Sequence, residues 1–167
     1  MKIDLKTLKR HPHESQAFHL EAAGRKDLLQ DLGAAFLEPI KVDLVVRNTG
    51  NLFVAHGELH TCISLLCSRC LEQLVHPIDG VLDFSIMEAD QAGEEDSAED
   101  VLILDQDEVD LQPLVEELMI MEIPLIPLCE ADCSGLCPVC GINRNTGSCD
   151  CARDNIDPRW EKLKNLT

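Results

Sequence analysis

Apolar and polar positions alternate along much of the chain between residues 39 and 87. Pro39-Ile40-Lys41-Val42-Asp43-Leu44-Val45-Val46-Arg47 has the period of two and the β-branched enrichment of a half-buried strand. Asn48-Thr49-Gly50-Asn51 is a turn cluster. Residues 52–66 continue as one long strand or two short ones around Gly57, and 74–87 read as the next strand, with Gly80 marking a bulge or a close backbone approach. Between Gly24 and Leu37 the period changes: Leu28, Leu29, Leu32, Ala35 and Phe36 recur at helical spacing and predict a short helix. Leu111, Leu114, Val115, Leu118 and Met119 predict a second helix, with Asp110 as its N-cap and Pro113 in the first turn. Its apolar stripe reads as a core face covering the sheet rather than a partner-binding groove. Pro124 and Pro127 end it and keep 123–128 extended. The pattern predicts an α+β fold: an antiparallel β meander with a covering helix and a Cys-rich module at the C-terminus.

Charge divides this picture. Of 167 residues, 31 are Asp or Glu and 14 are Lys or Arg, for a formal charge of −17. From Glu88 to Asp110 there are eleven acids and no Lys or Arg. Residues 88–100 have no apolar periodicity and predict a disordered acidic loop within a domain spanning 1–128. Residues 129–167 form the second part, a Cys-rich module followed by a helix that starts at Asp157-Pro158-Arg159-Trp160. Such a field repels naked phosphate chains and favours basic partners. Lys2, Lys6, Lys9 and Arg10 are a modest basic patch, too sparse to establish nucleic-acid binding alone.

Eight of the nine cysteines come in close pairs: Cys67/Cys70, Cys129/Cys133, Cys137/Cys140 and Cys149/Cys151. Short pairs put two sulfurs on one turn, where both reach a single ion. The first residues have no apolar secretory core, and the longest apolar stretch, 118–129, is too short to span a bilayer, so a reduced, cytoplasmic setting is expected. There, clustered cysteines are metal ligands sooner than disulfides. Eight paired thiolates suffice for two structural zinc ions, and would take the formal charge to about −21. Spacing alone leaves open which pairs share an ion.

Other chemistries fit less well. Cys133-x3-Cys137-x2-Cys140 has the spacing of radical Fe–S enzymes, but no barrel-length sequence follows it. A zinc deaminase needs His-x-Glu before Pro-Cys-x-x-Cys; His56-Gly57-Glu58 is present, but Pro138 lies inside the Cys137/Cys140 pair. Closed four-thiolate sites leave no open position for catalysis, so no enzymatic activity is expected. An Fe–S or redox protein using the C-terminal cysteines is the alternative. His56 and His60 lie four apart on a strand, about 13 Å, too far to share an ion. Cys62 reads as a buried thiol rather than a spare ligand, and Arg69, Arg144 and Arg153 as cations offsetting the thiolates.

The order of knuckles and flanks resembles the YceD-like family, proteins linked to accumulation of large-subunit ribosomal RNA. The resemblance is carried by Cys67-Ser68-Arg69-Cys70, the acidic loop and helix, 123–143 with its three cysteine turns, Cys149-Asp150-Cys151 and Asp157-Pro158-Arg159-Trp160, and covers residue 40 to the end. It implies a non-enzymatic role in building the large ribosomal subunit, with precursor RNA or a basic large-subunit protein as partner. Because family members often lack the last four cysteines, it also implies a pairing. Cys67, Cys70, Cys129 and Cys133 would form one site, and Cys137, Cys140, Cys149 and Cys151 a second.

Overall fold

The computed structural model describes residues 1–30, 32–88 and 101–151. Of the acidic loop expected over 88–100, Glu88 instead ends a strand, and the rest, with Arg153 and the helix expected at Asp157–Trp160, lies outside the described residues. The order is β1 (Lys2–Asp4), α1 (Lys6–Lys9), β2 (Ser15–Ala22), α2 (Lys26–Gln30), β3 (Ala35–Phe36), β4 (Ile40–Asn48), β5 (Phe53–Leu66), β6 (Gln73–Glu88), β7 (Val101–Leu104), β8 (Glu108–Asp110) and α3 (Gln112–Glu122). Sheet dominates and helices are few, an α+β composition. The chain divides into two compact units, 1–65 with 74–125 and, as far as described, 66–73 with 126–151.

In the first unit the larger sheet runs β2-β4-β5-β6-β7, with β3 also paired to β5. Strand β4 pairs antiparallel with both β2 and β5. Its alternation is realised: Ile40, Val42, Leu44 and Val46 are buried, while Lys41, Asp43, Val45 and Arg47 are exposed. Each buried aliphatic side chain contributes about 1.5–3 kcal/mol. Strand β5 is one unbroken strand through Gly57, where a Cβ would stand 2.3 Å from the Asp43 carbonyl oxygen on β4. His56 contacts Asp83 and His60 contacts Asp79, so β5 and β6 run in opposite directions. The expected meander ends there, because β7 pairs parallel to β6, Ser85 opposite Val101. A parallel neighbour needs a long return connection, which residues 89–100 are long enough to make.

Helix α3 buries Val115 and Met119. Leu118 packs over Gly80, where a Cβ would lie 2.7 Å from its Cδ2, so that glycine serves a close approach. Asp110 holds the helix start from one position before the cap: the Gln112 N–H donates to its carboxylate at 3.0 Å, while Leu111 occupies the cap itself. This contact, first, keeps the Asp110 carboxyl below its ordinary range.

Three departures involve the first forty residues. The helix expected between Gly24 and Leu37 shortens to Lys26–Gln30, and Ala35–Phe36 pairs as β3 with Ser64 and Ile63. The chain turns between them, with Gly33 at φ +62° and the Ala34 N–H donating to the Leu29 carbonyl at 3.2 Å. Strand β2, absent from the expected elements, adds an edge to the sheet with Gln16, Phe18, Leu20 and Ala22 half-buried. The two-stranded β1-β8 ribbon was likewise not expected.

Candidate metal centres

The second unit is built from turns. At the end of β5 the chain folds through Cys67–Cys70, the Leu71 N–H donating to the Cys67 carbonyl at 3.0 Å and the Cys67 N–H to the Glu72 carbonyl at 2.9 Å. Cys137–Cys140 repeats the pattern: Gly141 N–H to Cys137 carbonyl at 2.9 Å, Cys137 N–H to Ile142 carbonyl at 2.8 Å. Both turns close in the left-handed region, at φ +62° for Leu71 and +76° for Gly141. The Ser68 N–H donates to the Pro127 carbonyl at 2.8 Å, bringing the segment that carries Cys129 beside the first knuckle. The Arg69 guanidinium donates to the Cys133 carbonyl at 2.9 Å.

Cys67, Cys70, Cys129 and Cys133 converge, with all four Sγ atoms within 4.8 Å of one another. Cys67 and Cys133 sulfurs are 3.8 Å apart, and those of Cys70 and Cys129 3.6 Å apart. Bonds of about 2.3 Å from a tetrahedral ion put sulfurs about 3.8 Å apart, so the spacing fits one ion. A disulfide would close to about 2.0 Å, and all nine cysteines are free thiols. Cys137, Cys140, Cys149 and Cys151 form a second group with the same mutual limit of 4.8 Å. Cys67, Cys70, Cys133 and Cys137 are buried, while Cys129 and Cys140 remain exposed. Each tetrad could therefore bind a metal ion, giving two such sites among the described residues.

Thiol acidity supports the same reading. Backbone N–H groups, chiefly that of Cys70, then that of Cys129 on the neighbouring segment and that of Arg69, hold the Cys67 thiol down at about 6. The N–H groups of Cys140 and Val139 hold Cys137 at about 5. Cys133 is also lowered, first by the Asn145 side chain, whose N–H donates to Sγ at 3.2 Å. Their neighbours move the other way. Cys129 is pushed up to about 12 beside the Cys133 and Cys70 sulfurs, and Cys151 to about 12 beside Cys140. Each group thus readily carries some negative charge and resists full ionisation on its own. A divalent cation removes that resistance.

The remaining candidates fall elsewhere. Cys62, expected to be buried, is only half-buried, because on β5 it alternates with the inward-facing Thr61 and Ile63; it belongs to neither tetrad. His19, His56 and His60 lie on strands, where each contacts an Asp on the adjacent strand. Arg144 faces the second tetrad and is held more basic by Cys137 and Cys149. In the N-terminal basic patch, Lys2 pairs with Glu108 at 3.3 Å, and Lys9 pairs with Glu88 at 2.8 Å and with Asp107 at 3.3 Å. A groove of about 730 Å³ beside α2 and β3 is mainly apolar, and among the described residues lining it Lys26 and Glu38 are charged. Among the described residues no helix is long and apolar enough to cross a membrane. Asn143 and Asn145 were not singled out in the sequence. Their signal was Asn-x-Asn in a short loop between knuckles, a setting where Asn side chains bond nearby backbone.

Fold and site together define an α+β protein with two four-cysteine candidate metal centres in one compact unit. The family profile for "Large ribosomal RNA subunit accumulation protein YceD" matches residues 55–167. The chain belongs to the YceD family. An uncharacterised protein of Mycobacterium tuberculosis is 30% identical over 129 residues, covering 74% of this chain and 60% of the relative. The chain thus spans less than two thirds of that relative's length. The uncharacterised protein YlbN of Bacillus subtilis is 26% identical over 164 residues, covering 93% of this chain and 91% of the relative. The Arabidopsis thaliana "Large ribosomal RNA subunit accumulation protein YCED homolog 1, chloroplastic" is 36% identical over 59 residues, 35% of this chain and 18% of the relative. No solved structure matches the chain.

Proposed function

We infer that this protein is a non-enzymatic, zinc-stabilised factor of large ribosomal subunit biogenesis in the cytoplasm, supporting accumulation of large-subunit ribosomal RNA. The family match over residues 55–167 is the observation that carries the ribosomal reading. The tetrads carry the structural one: four thiolates around one ion close its coordination shell and leave no position for a substrate. Bound there, zinc would supply folding free energy, since a segment with few core residues gains order by cross-linking its own turns. Sulfurs all within 4.8 Å favour a single ion over an Fe–S cluster, whose irons and sulfides hold the cysteines further apart. An Fe–S or redox role remains the competing reading of the C-terminal cysteines. A colourless two-zinc protein supports the first, and a brown protein absorbing near ~400 nm the second.

The partner follows from charge. A chain at −17 repels free phosphate, and two of the four N-terminal cations already pair with carboxylates, which favours a basic large-subunit protein over naked precursor RNA as the direct contact. The test is deletion of the gene, followed by measurement of large-subunit precursor RNA and free-subunit profiles. Loss of large-subunit RNA relative to small-subunit RNA, restored by the wild-type chain and not by a Cys67→Ser/Cys70→Ser variant, supports the reading. Unchanged subunit ratios would end it.

A further inference from the structure

The loop between the two halves of the second tetrad reaches the first tetrad. Asn145, between Cys140 and Cys149 in the chain, donates its side-chain N–H to Cys133 Sγ at 3.2 Å and accepts the Ser134 N–H on its carbonyl oxygen at 2.7 Å. The two contacts have opposite polarity, so together they fix the orientation of the amide. The surrounding hydrogen bonds make one stack. Arg144 N–H donates to the Gly135 carbonyl at 2.9 Å, and Leu136 N–H to the Arg69 carbonyl in the first knuckle at 3.1 Å. Leu136 and Asn143 form a bridge, and Asn143 Nδ2 donates to Glu72 Oε1 at 3.3 Å. The tetrads also differ in the chain they must close. Cys70 and Cys129, adjacent in the first, are 59 positions apart, whereas the second gathers its sulfurs within residues 137–151. The second tetrad therefore needs only its own local segment to be ordered, whereas the first needs two separate segments, 66–73 and 126–133, brought together.

We propose that the two tetrads load cooperatively and in a fixed order: 137–151 organises first, and Asn145 then raises the metal affinity of Cys67, Cys70, Cys129 and Cys133. The proposal rests on both tetrads holding metal. Once 141–147 is ordered, the Asn145 N–H stands ready to stabilise the Cys133 thiolate and the Asn143–Leu136 bridge supports the first knuckle from behind. The second tetrad's order thus lowers what the first must still pay in conformational freedom.

The test is an anaerobic titration of the full-length apoprotein with Zn2+, counting species by native mass spectrometry and reading amide exchange over 66–73 and 137–151. Wild type should show little singly loaded protein at half saturation, and that species should be protected over 137–151 only. Asn145 is exposed, so its substitution should leave the fold intact. Asn145→Ala should weaken the first tetrad about tenfold, the low end for a hydrogen bond to a charged acceptor, and singly loaded protein should accumulate. Asn145→Asp keeps an acceptor for Ser134 but puts a negative charge, with no donor, beside the thiolate, and should be at least as damaging. Cys149→Ser/Cys151→Ser should also weaken the first tetrad. Statistical two-ion loading in wild type, prior protection of 66–73, or unchanged first-tetrad affinity in Asn145→Asp would each overturn the coupling while leaving the metal reading standing. Uptake of no ion at all would overturn both.

Discussion

Leu71 and Gly141 occupy the same place in the two knuckles, directly after the second cysteine, and both are left-handed. Only glycine adopts that region without a side-chain penalty, and for other residues it costs roughly 1–2 kcal/mol. Leu71 is 59% exposed, so little burial repays the strain. Leu71→Gly should therefore raise the stability of the metal-loaded protein by about 1 kcal/mol, and Gly141→Leu should lower it by a similar amount, both measured as shifts in denaturant midpoint. At this scale the sequence was informative where chemistry is local. Two cysteines two to four positions apart declare a candidate knuckle by spacing alone. It was silent on Asn145, because a polar residue in a loop looks the same whether it faces water or a thiolate twelve residues away in the chain.

Between elements, the sheet offers two tests. A Cβ at Gly57 would meet backbone, 2.3 Å from the Asp43 carbonyl oxygen, whereas at Gly80 it would meet the movable end of Leu118 at 2.7 Å. Gly57→Ala should cost more than about 2 kcal/mol, and Gly80→Ala less, with a thermal melt separating them. The second test concerns charge across strands. His56 is held above its ordinary 6.5 by its hydrogen bond to Asp83, and His60 likewise by Asp79. A raised folded-state value means the stabilisation is fully present below pH ~6.5 and is lost as pH rises through the folded value. The two imidazoles should titrate above 6.5 by NMR, and Asp83→Asn should return His56 toward it while leaving His60 in place. Strands β4 to β6 were legible because one face is buried and alternation follows. Strand β2 was less so, since Gln16 stands at an inward position and interrupts the apolar signal. The parallel pairing of β7 was invisible, because register and direction depend on a connection rather than on the strand's own residues.

For the whole molecule, the pairing of sulfurs ties family, fold and function together. Resemblance, not spacing, separated Cys67/Cys70/Cys129/Cys133 from Cys137/Cys140/Cys149/Cys151, and the structure groups them in those same two sets. Chelation of the metal should abolish amide-exchange protection over 66–73 and 126–151 before it affects β4, whose order rests on buried aliphatic side chains. The most direct test of the account is native mass spectrometry of anaerobically purified protein at saturating zinc, for wild type, Cys67→Ser and Cys137→Ser. Two zinc ions are expected in wild type and one in each variant, with protection kept over 137–151 in Cys67→Ser. A wild type with one ion or none, or a Cys67→Ser protein that loses protection over 137–151 as completely as Cys137→Ser does, would contradict two tetrads divided in this way.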